Sequence, residues 1–459
     1  MPDNAKQSDL PLLSLAEASE LLRAKKLSPV ELTEACLSRI ETLNPELNAF
    51  ITVTTELALA QARAAEAEIR RGQWRGPLHG IPLSLKDLVD VAGVSTTAAS
   101  KVFENQVPTA DSEVVRRLKA AGAVIVGKNN LHECAYGGSG LISRYGPAKN
   151  PRYPGRTTAG SSSGSAAAVA AGLGYGAIVS DTAGSIRLPA AFCGIVGFKP
   201  TYGLVSARGV VPLSWSLDHI GPMARGVTDV ALILAAIAGY DPDDPTSRDL
   251  PIEDYAAAVH APAPRLRVGV PRKVFYEDLD SEVARVIEDA LRIVAELAAE
   301  MREVSVPADS DRTVAKAETY AYHLPYLAKS ADQYDPETLR RINAGANVDV
   351  RDYVAKLHEL ELLRRGAAEI FKDVDVVVTP TTPVPPPLIA DLQADIGHLR
   401  ERELLMLRNT RPFNVLGLPA ISVPCGETSA GLPVALQIAG PARGDARVLS
   451  FARVFESAR

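Results

Sequence analysis

Apolar residues recur at helical spacing from Leu12 to Leu22, which predicts an amphipathic helix over 12–24. Ser28-Pro29 reads as an N-cap followed by proline at the first helical position, opening a helix that runs to about Leu43 and stops near Asn44-Pro45. Residues 49–53 read as a short strand and 56–71 as an Ala/Glu/Arg helix. The apolar run Ile81–Leu85 is a strand that leads directly into Lys86-Asp87. A helix over 111–121 precedes the buried-type strand Ala123–Val126, and a further helix is expected to start at 129–136. Residues 165–172 form a small-residue helix and 175–179 a strand, with another helix starting at 188–193. Residues 241–264 read as a surface connection. A strand at 267–270, a periodic helix at 281–300, a Tyr-rich helical stretch at 308–365 and strands at 375–379, 418–424 and 434–438 complete the pattern. Short buried strands alternating with helices favour an α/β class. No composition break marks a domain boundary.

Composition narrows the picture. The 459 residues are 46% apolar and 23% charged, ample for a large core, and the net charge of −6 gives no global pull towards nucleic acid. The four cysteines, Cys36, Cys134, Cys193 and Cys425, are far apart and form no CxxC. Reduced thiols in a cytoplasmic protein are expected, with neither zinc nor a disulfide framework. The N-terminal residues lack the pattern of a secretory leader, and no apolar run is long enough to span a membrane.

Several motifs suggest chemistry. Gly122-AVIV-Gly127-Lys128 has the spacing of a phosphate loop, but Asn129 replaces the magnesium-binding hydroxyl and AVIV is strand-like. Gly160-Ser161-Ser162-Ser163-Gly164 has the GxSxG form of a nucleophile elbow, yet no good strand precedes it and Asp218-His219 is a poor source of triad partners. Glu133-Cys134 reads as a buried thiol on a helix, not a nucleophile. The second small-residue knot, Asp181-Thr182-Ala183-Gly184-Ser185, follows a strand and turns tightly. Its successive N–H groups are able to converge on a bound oxygen.

These knots stand in order with LHGIPLSLKDLVDVAG (78–93), GKNNLHECAYG (127–137), GFKPTYGLVSARGVVPLSWSLDHIGPMAR (197–225), FNVLGLPAISVPCG (413–426) and GLPVALQIAG (431–440). The whole resembles the amidase signature family, from about Leu12 to the end. That resemblance implies an α/β fold, a single α/β/α domain over 1–459 around a large mixed twisted sheet. It implies a serine hydrolase of C–N bonds with a Ser–cis-Ser–Lys triad: Ser185 as nucleophile, Ser161 as the relay and Lys86 as the base. Thr182, Ala183, Gly184 and Ser185 match the oxyanion-hole backbone, and Asp181 and Arg187 the residues bracing the turn. Tyr136, Gly137, Gly138 and Ser139 match the segment lining the acyl side of the pocket, and Arg208 is expected at its mouth. Ala159, Ser163 and Ala183 depart from glycines usual in the family.

Elementary chemistry agrees with these roles. A serine hydroxyl needs an adjacent base, and a lysine serves only if burial brings its pKa towards neutrality. No metal or organic cofactor is implied. The expected substrate is a small uncharged aryl or alkyl amide or carbamate (urethane), acted on by a monomer or homodimer with no nucleic-acid partner. Some family members are glutaminase subunits of tRNA amidotransferases, which anchor glutamine with an Asp and an Arg. Leu407 and Leu360 stand in those places here. A non-catalytic scaffold of the same fold is the remaining class. The 308–365 stretch is expected to cover the site, either as a lid or as a fixed layer.

Overall fold

The computed structural model describes residues 7–262 and 265–459. Residues 1–6, which begin the stretch lacking a leader pattern, and 263–264, at the end of the predicted connection, lie outside the described residues. Among the described residues eleven strands are β1 (Phe50–Val53), β2 (Pro82–Lys86), β3 (Val124–Asn129), β4 (Gly176–Asp181), β5 (Val196–Lys199), β6 (His219–Ala224), β7 (Arg267–Val270), β8 (Glu300–Glu303), β9 (Val376–Pro380), β10 (Ala420–Glu427) and β11 (Pro433–Ala439). They form one sheet in the order β1-β3-β2-β4-β6-β5-β10-β11-β9-β7-β8. The sheet is mixed. β3, β2 and β4 run parallel, as do β9, β7 and β8, and an antiparallel block from β4 to β9 joins the two groups. Helices cover the sheet, so its central strands are buried along their length, as near-continuous apolar strands require.

The parallel set positions the site. Ser84 and Leu85 of β2 pair with Ala177 and Ile178 of β4, and Lys86 pairs with Asn129 of β3. The carboxyl ends of all three strands therefore meet at one edge, the place where open α/β sheets hold ligands. They deliver Lys86, the segment after Asn129, and the turn Thr182–Ser185 together.

Most predicted elements lie within a few residues of their expected places; the exceptions have local causes. The helix Pro29–Leu47 continues through Pro45 to an Asn48 cap at φ 51. Pro45 lies in the last turn, where a missing N–H forfeits only one bond. The Asn44 side chain accepts from Phe50 N at 2.7 Å and donates to Phe50 O at 3.2 Å, carrying the chain into β1. The helix expected at 129–136 is absent. β3 extends to Asn129 and only a 3₁₀ turn, Glu133–Ala135, follows. Here the backbone bonds outward: Glu133 N donates to Ile142 O and Cys134 N to Ala98 O, with Cys134 and Ala135 at φ 52 and 58. The connection after 241 holds a short helix, Tyr255–His260, capped by Asp254.

Candidate active site

Lys86 ends β2 and is fully buried. Strand alternation sends it and Asp87 to opposite faces. Asp87 pairs with Lys128 at 2.9 Å, while Lys86 Nζ lies 2.7 Å from Ser161 Oγ and 2.9 Å from Ser180 Oγ. Burial lowers the Lys86 pKa to about 7, with Asp218 and then Asp181 pulling against it. No carboxylate forms an ion pair with this ammonium among the described residues, so desolvation prevails.

Ser161 sits in the loop before the helix Ser163–Ala170, and the Gly160–Ser161 peptide is cis. The loop is packed against the glycine run 137–140. Gly160 N donates to Gly138 O at 2.8 Å, and a Cβ on Gly160 would lie 2.7 Å from Gly137 O. Ala159 takes φ 60, a left-handed conformation that explains why glycine is usual there. Ser161 O accepts from His132 N at 2.9 Å, and Ser162 Oγ donates to Ser180 O at 3.4 Å, which ties this loop to the end of β4.

Ser185 lies on the turn between β4 and the helix Arg187–Cys193. Asp181 organises the turn. Its carboxylate accepts Gly184 N at 2.7 Å and Ile186 N at 3.0 Å, and receives Arg187 Nη2 at 3.0 Å and Nε at 3.1 Å. Burial would raise the Asp181 pKa, but Arg187, Lys199 and Asn414 hold it well below the carboxylate range. Fully buried Arg187 also reaches Thr410 O, Gln437 Oε1 and Asn414 Oδ1 at 2.8, 2.7 and 2.6 Å. Gly184, at φ 137, has no room for a side chain, since a Cβ would lie 2.1 Å from Thr410 Oγ1.

The four expected oxyanion donors are therefore not equivalent. Gly184 N–H is committed to Asp181, while no acceptor among the described residues takes the N–H of Thr182, Ala183 or Ser185. Below the turn, Thr182 Oγ1 donates to Asp218, which also accepts Leu213 N and Ser214 N at 2.8 and 3.0 Å. Desolvation raises the Asp218 pKa to about 6 despite these bonds.

Ser185, Thr182 and Ala183 open into a cavity of about 290 Å³, together with Tyr136, Gly137 and Leu407. The helices Thr313–Ser330 and Pro336–Asn343, from the Tyr-rich stretch, supply Lys316, Arg340 and Arg341 to its wall. Gly138 and Ser139 lie behind this lining. Ser139 is fully buried, and its N and Oγ donate to Glu403 at 3.1 and 2.7 Å. Arg208 is placed elsewhere. It lines a separate cavity of about 220 Å³ and is held by Asp241 at 2.7 Å and Glu113 at 2.8 Å. Leu360 is buried beside Leu217 and Val415. Sequence reasoning missed Ser180, Thr410, Asn414 and Gln437. Ser180 is the one residue of these with a local signal, since it directly precedes Asp181 on the strand.

Among the described residues no group of three His, Cys, Asp or Glu side chains is arranged to hold a metal, and no helix is long and apolar enough to cross a membrane.

A family model described as Amidase matches residues 31–449. The chain is 40% identical to a glutamyl-tRNA(Gln) amidotransferase subunit from Moorella thermoacetica, covering 98% of this chain and 97% of that one. Among solved structures, 6-aminohexanoate cyclic dimer hydrolase in complex with substrate is 30% identical with a TM-score of 0.88, covering 98% of this chain and 97% of that one. The peptide amidase from Stenotrophomonas maltophilia is 33% identical with a TM-score of 0.82, covering 97% and 96%.

Proposed function

This chain belongs to the amidase family, and we propose that it hydrolyses a small amide through Ser185, Ser161 and Lys86. The observation that carries the reading is the buried Lys86 at 2.7 Å from Ser161 Oγ, with a pKa lowered to about 7. In this mechanism neutral Lys86 takes the Ser161 proton as Ser161 takes that of Ser185. Ser185 Oγ attacks the carbonyl carbon, and the oxyanion is met by the uncommitted N–H groups of Thr182, Ala183 and Ser185. Collapse of the tetrahedral intermediate breaks the C–N bond, and the relay returns the proton to the departing nitrogen. Water then attacks the acyl-enzyme by the same route, releasing the acid and restoring Ser185. Ser180, at 2.9 Å from Lys86 Nζ, gives the lysine a second oxygen that orients it. Carbamates fit the same chemistry, because the attacked carbonyl and the leaving nitrogen are retained.

A second reading, a glutaminase subunit of a tRNA amidotransferase, is favoured by 40% identity to such a protein along nearly the whole chain. Against it, Leu407 lines the cavity and no acidic side chain does so, which leaves the α-ammonium of glutamine without a counter-charge.

The test is fluorophosphonate labelling with hydrolysis of a panel of primary amides, anilides, aryl carbamates and glutamine. Wild type labels at Ser185 and cleaves amides, while Ser185→Ala and Lys86→Ala do neither. Unchanged labelling in Ser185→Ala overturns the triad. Glutamine turnover that requires a co-purified partner, without turnover of other amides, replaces the first reading with the second.

A further inference from the structure

The cavity that opens on Ser185 is lined by six cationic side chains and by no acidic one: Arg312, Lys316, Arg340, Arg341, Arg400 and Arg411. Two carboxylates behind the wall neutralise part of this charge. Glu337 pairs with Arg340 and Arg341, and Glu403 pairs with Arg341 and Arg400. Arg312, Lys316 and Arg411 have no ion pair among the described residues. The Arg411 guanidinium is fixed by the carbonyls of Asp309 and Asp311. That of Arg312 has no hydrogen bond at all among the described residues. Arg341, 4% exposed, leaves its Nη2 without an acceptor.

Without a counter-charge this arrangement is costly. Burial, then repulsion from Arg400 and Arg411, lowers the Arg312 pKa to about 9. Guanidiniums forced together in this way favour an anion, because a bound carboxylate would accept their N–H groups and relieve the repulsion.

Resting on the amidase reading above, we propose that the substrate is a small amide bearing a carboxylate, which Arg312 binds with Arg400 and Arg411 in the same cavity as Ser185. The cavity, near 290 Å³, suits a compact molecule. With no acid in the lining, a free α-amino acid is a poorer fit than an ω-carboxy amide. The proposal replaces the uncharged substrate expected from Leu360 and Leu407. Neither leucine excludes an anion, since the cations come from other positions.

The experiment compares succinamate and glutaramate with butanamide and pentanamide, in wild type, Arg312→Gln, Arg312→Lys and Arg400→Gln. Calorimetry of glutarate, and separately of inorganic phosphate, with the Ser185→Ala protein and its Arg312→Gln derivative measures anion binding without turnover. The expected kcat/KM ratio of anionic to neutral substrate in wild type is roughly 10- to 100-fold, the range of a charged hydrogen-bonded pair. Arg312→Gln and Arg400→Gln each lower this ratio, Arg312→Lys retains part of it, and glutarate binds weakly or not at all once Arg312 is Gln. Equal rates on the two substrate types, or an equal loss on both in Arg312→Gln, overturn the proposal. Phosphate binding without glutarate binding overturns the carboxylate. Glutarate binding that depends on Arg312, in a protein that cleaves no amide and does not label at Ser185, supports the anion site and sinks the amidase reading.

Discussion

Replacing Lys86 by methionine tests the electrostatic core of the site. A lysine whose pKa falls from 10.5 to about 7 on folding is protonated in the unfolded chain but neutral in the folded one between those values. The unfolded state then binds more protons, so the stability of the wild type rises with pH across that window. Well below pH 7 the burden of burying this amine reaches about 5 kcal/mol, from 3.5 pH units at 1.36 kcal/mol each. Methionine fills similar space without it, but forfeits the two contacts with Ser161 and Ser180, about 1 kcal/mol each. Lys86→Met is therefore expected to be more stable than wild type by about 3 kcal/mol well below pH 7, by about 2 kcal/mol at pH 7, equal near pH 9, and less stable near pH 10.5. With an unfolding entropy of about 2.1 cal/mol/K per residue over 459 residues, each kcal/mol shifts Tm by about 1 °C. Thermal scans of both proteins at matched rates from pH 6 to 10 give the comparison. The kinetic counterpart is a kcat/KM profile for wild type that climbs to a plateau with an apparent pKa near 7. At pH 7 half of such lysines are neutral, against about 3 in 10⁴ for an unperturbed one. A Tm difference that does not change with pH, or an activity limb near 10, would refute this account of Lys86.

Three other outcomes follow from the geometry. Arg187→Ala strands the buried Asp181 carboxylate and should cost about 3–5 kcal/mol, read as lost soluble yield or a Tm several degrees lower, with Ser185 labelling lost alongside. Gly184→Ala places a methyl against Thr410 at a positive φ, and should cut kcat by about 10²-fold or more by displacing the turn that carries the proposed oxyanion donors. Relief by a paired Thr410→Ser change would not be expected, because the hydroxyl that blocks the methyl remains. Arg208→Ala should lower Tm, as Asp241 loses its ion-pair partner while Glu113 keeps Arg116 and Arg117, with KM essentially unchanged. A selective rise in KM would return Arg208 to the binding site.

Much of the candidate site was legible because the residues to which the family resemblance assigns roles sit next to strong local signals. Lys86 closes an apolar strand, Ser185 follows a strand and a tight turn, and Ser161 lies in a small-residue knot. What was illegible is what joins distant parts of the chain. Nothing near Asn414 or Gln437 announces that they meet Arg187. Their polarity in an apolar run has meaning only once β11, the helix Arg411–Val415 and the turn after β4 are adjacent. β6 escaped notice because Gly221 and Pro222 interrupt its pattern, although Pro222 lies within the strand opposite Ile178. The fate of Arg208 depended on Asp241 and Glu113, each reached through the fold. The cationic cavity was invisible for a similar reason, since Arg312, Arg341, Arg400 and Arg411 come from separate segments and each looks like an ordinary surface arginine in sequence.

The bond from Arg187 to Gln437 spans 250 residues, and it sets an order of events during synthesis. At about 5–20 residues per second, the turn that carries Ser185 waits roughly 12–50 seconds on the ribosome before its last brace is translated. Lys86 and Ser161 have emerged long before, yet Asp181 and Arg187 remain without Asn414 and Gln437 to complete their network. A nascent or prematurely terminated chain thus carries Lys86, Ser161 and Ser185 with the local Asp181–Arg187 pair, but without the distant side chains of Asn414 and Gln437 that fix the other edge of the guanidinium.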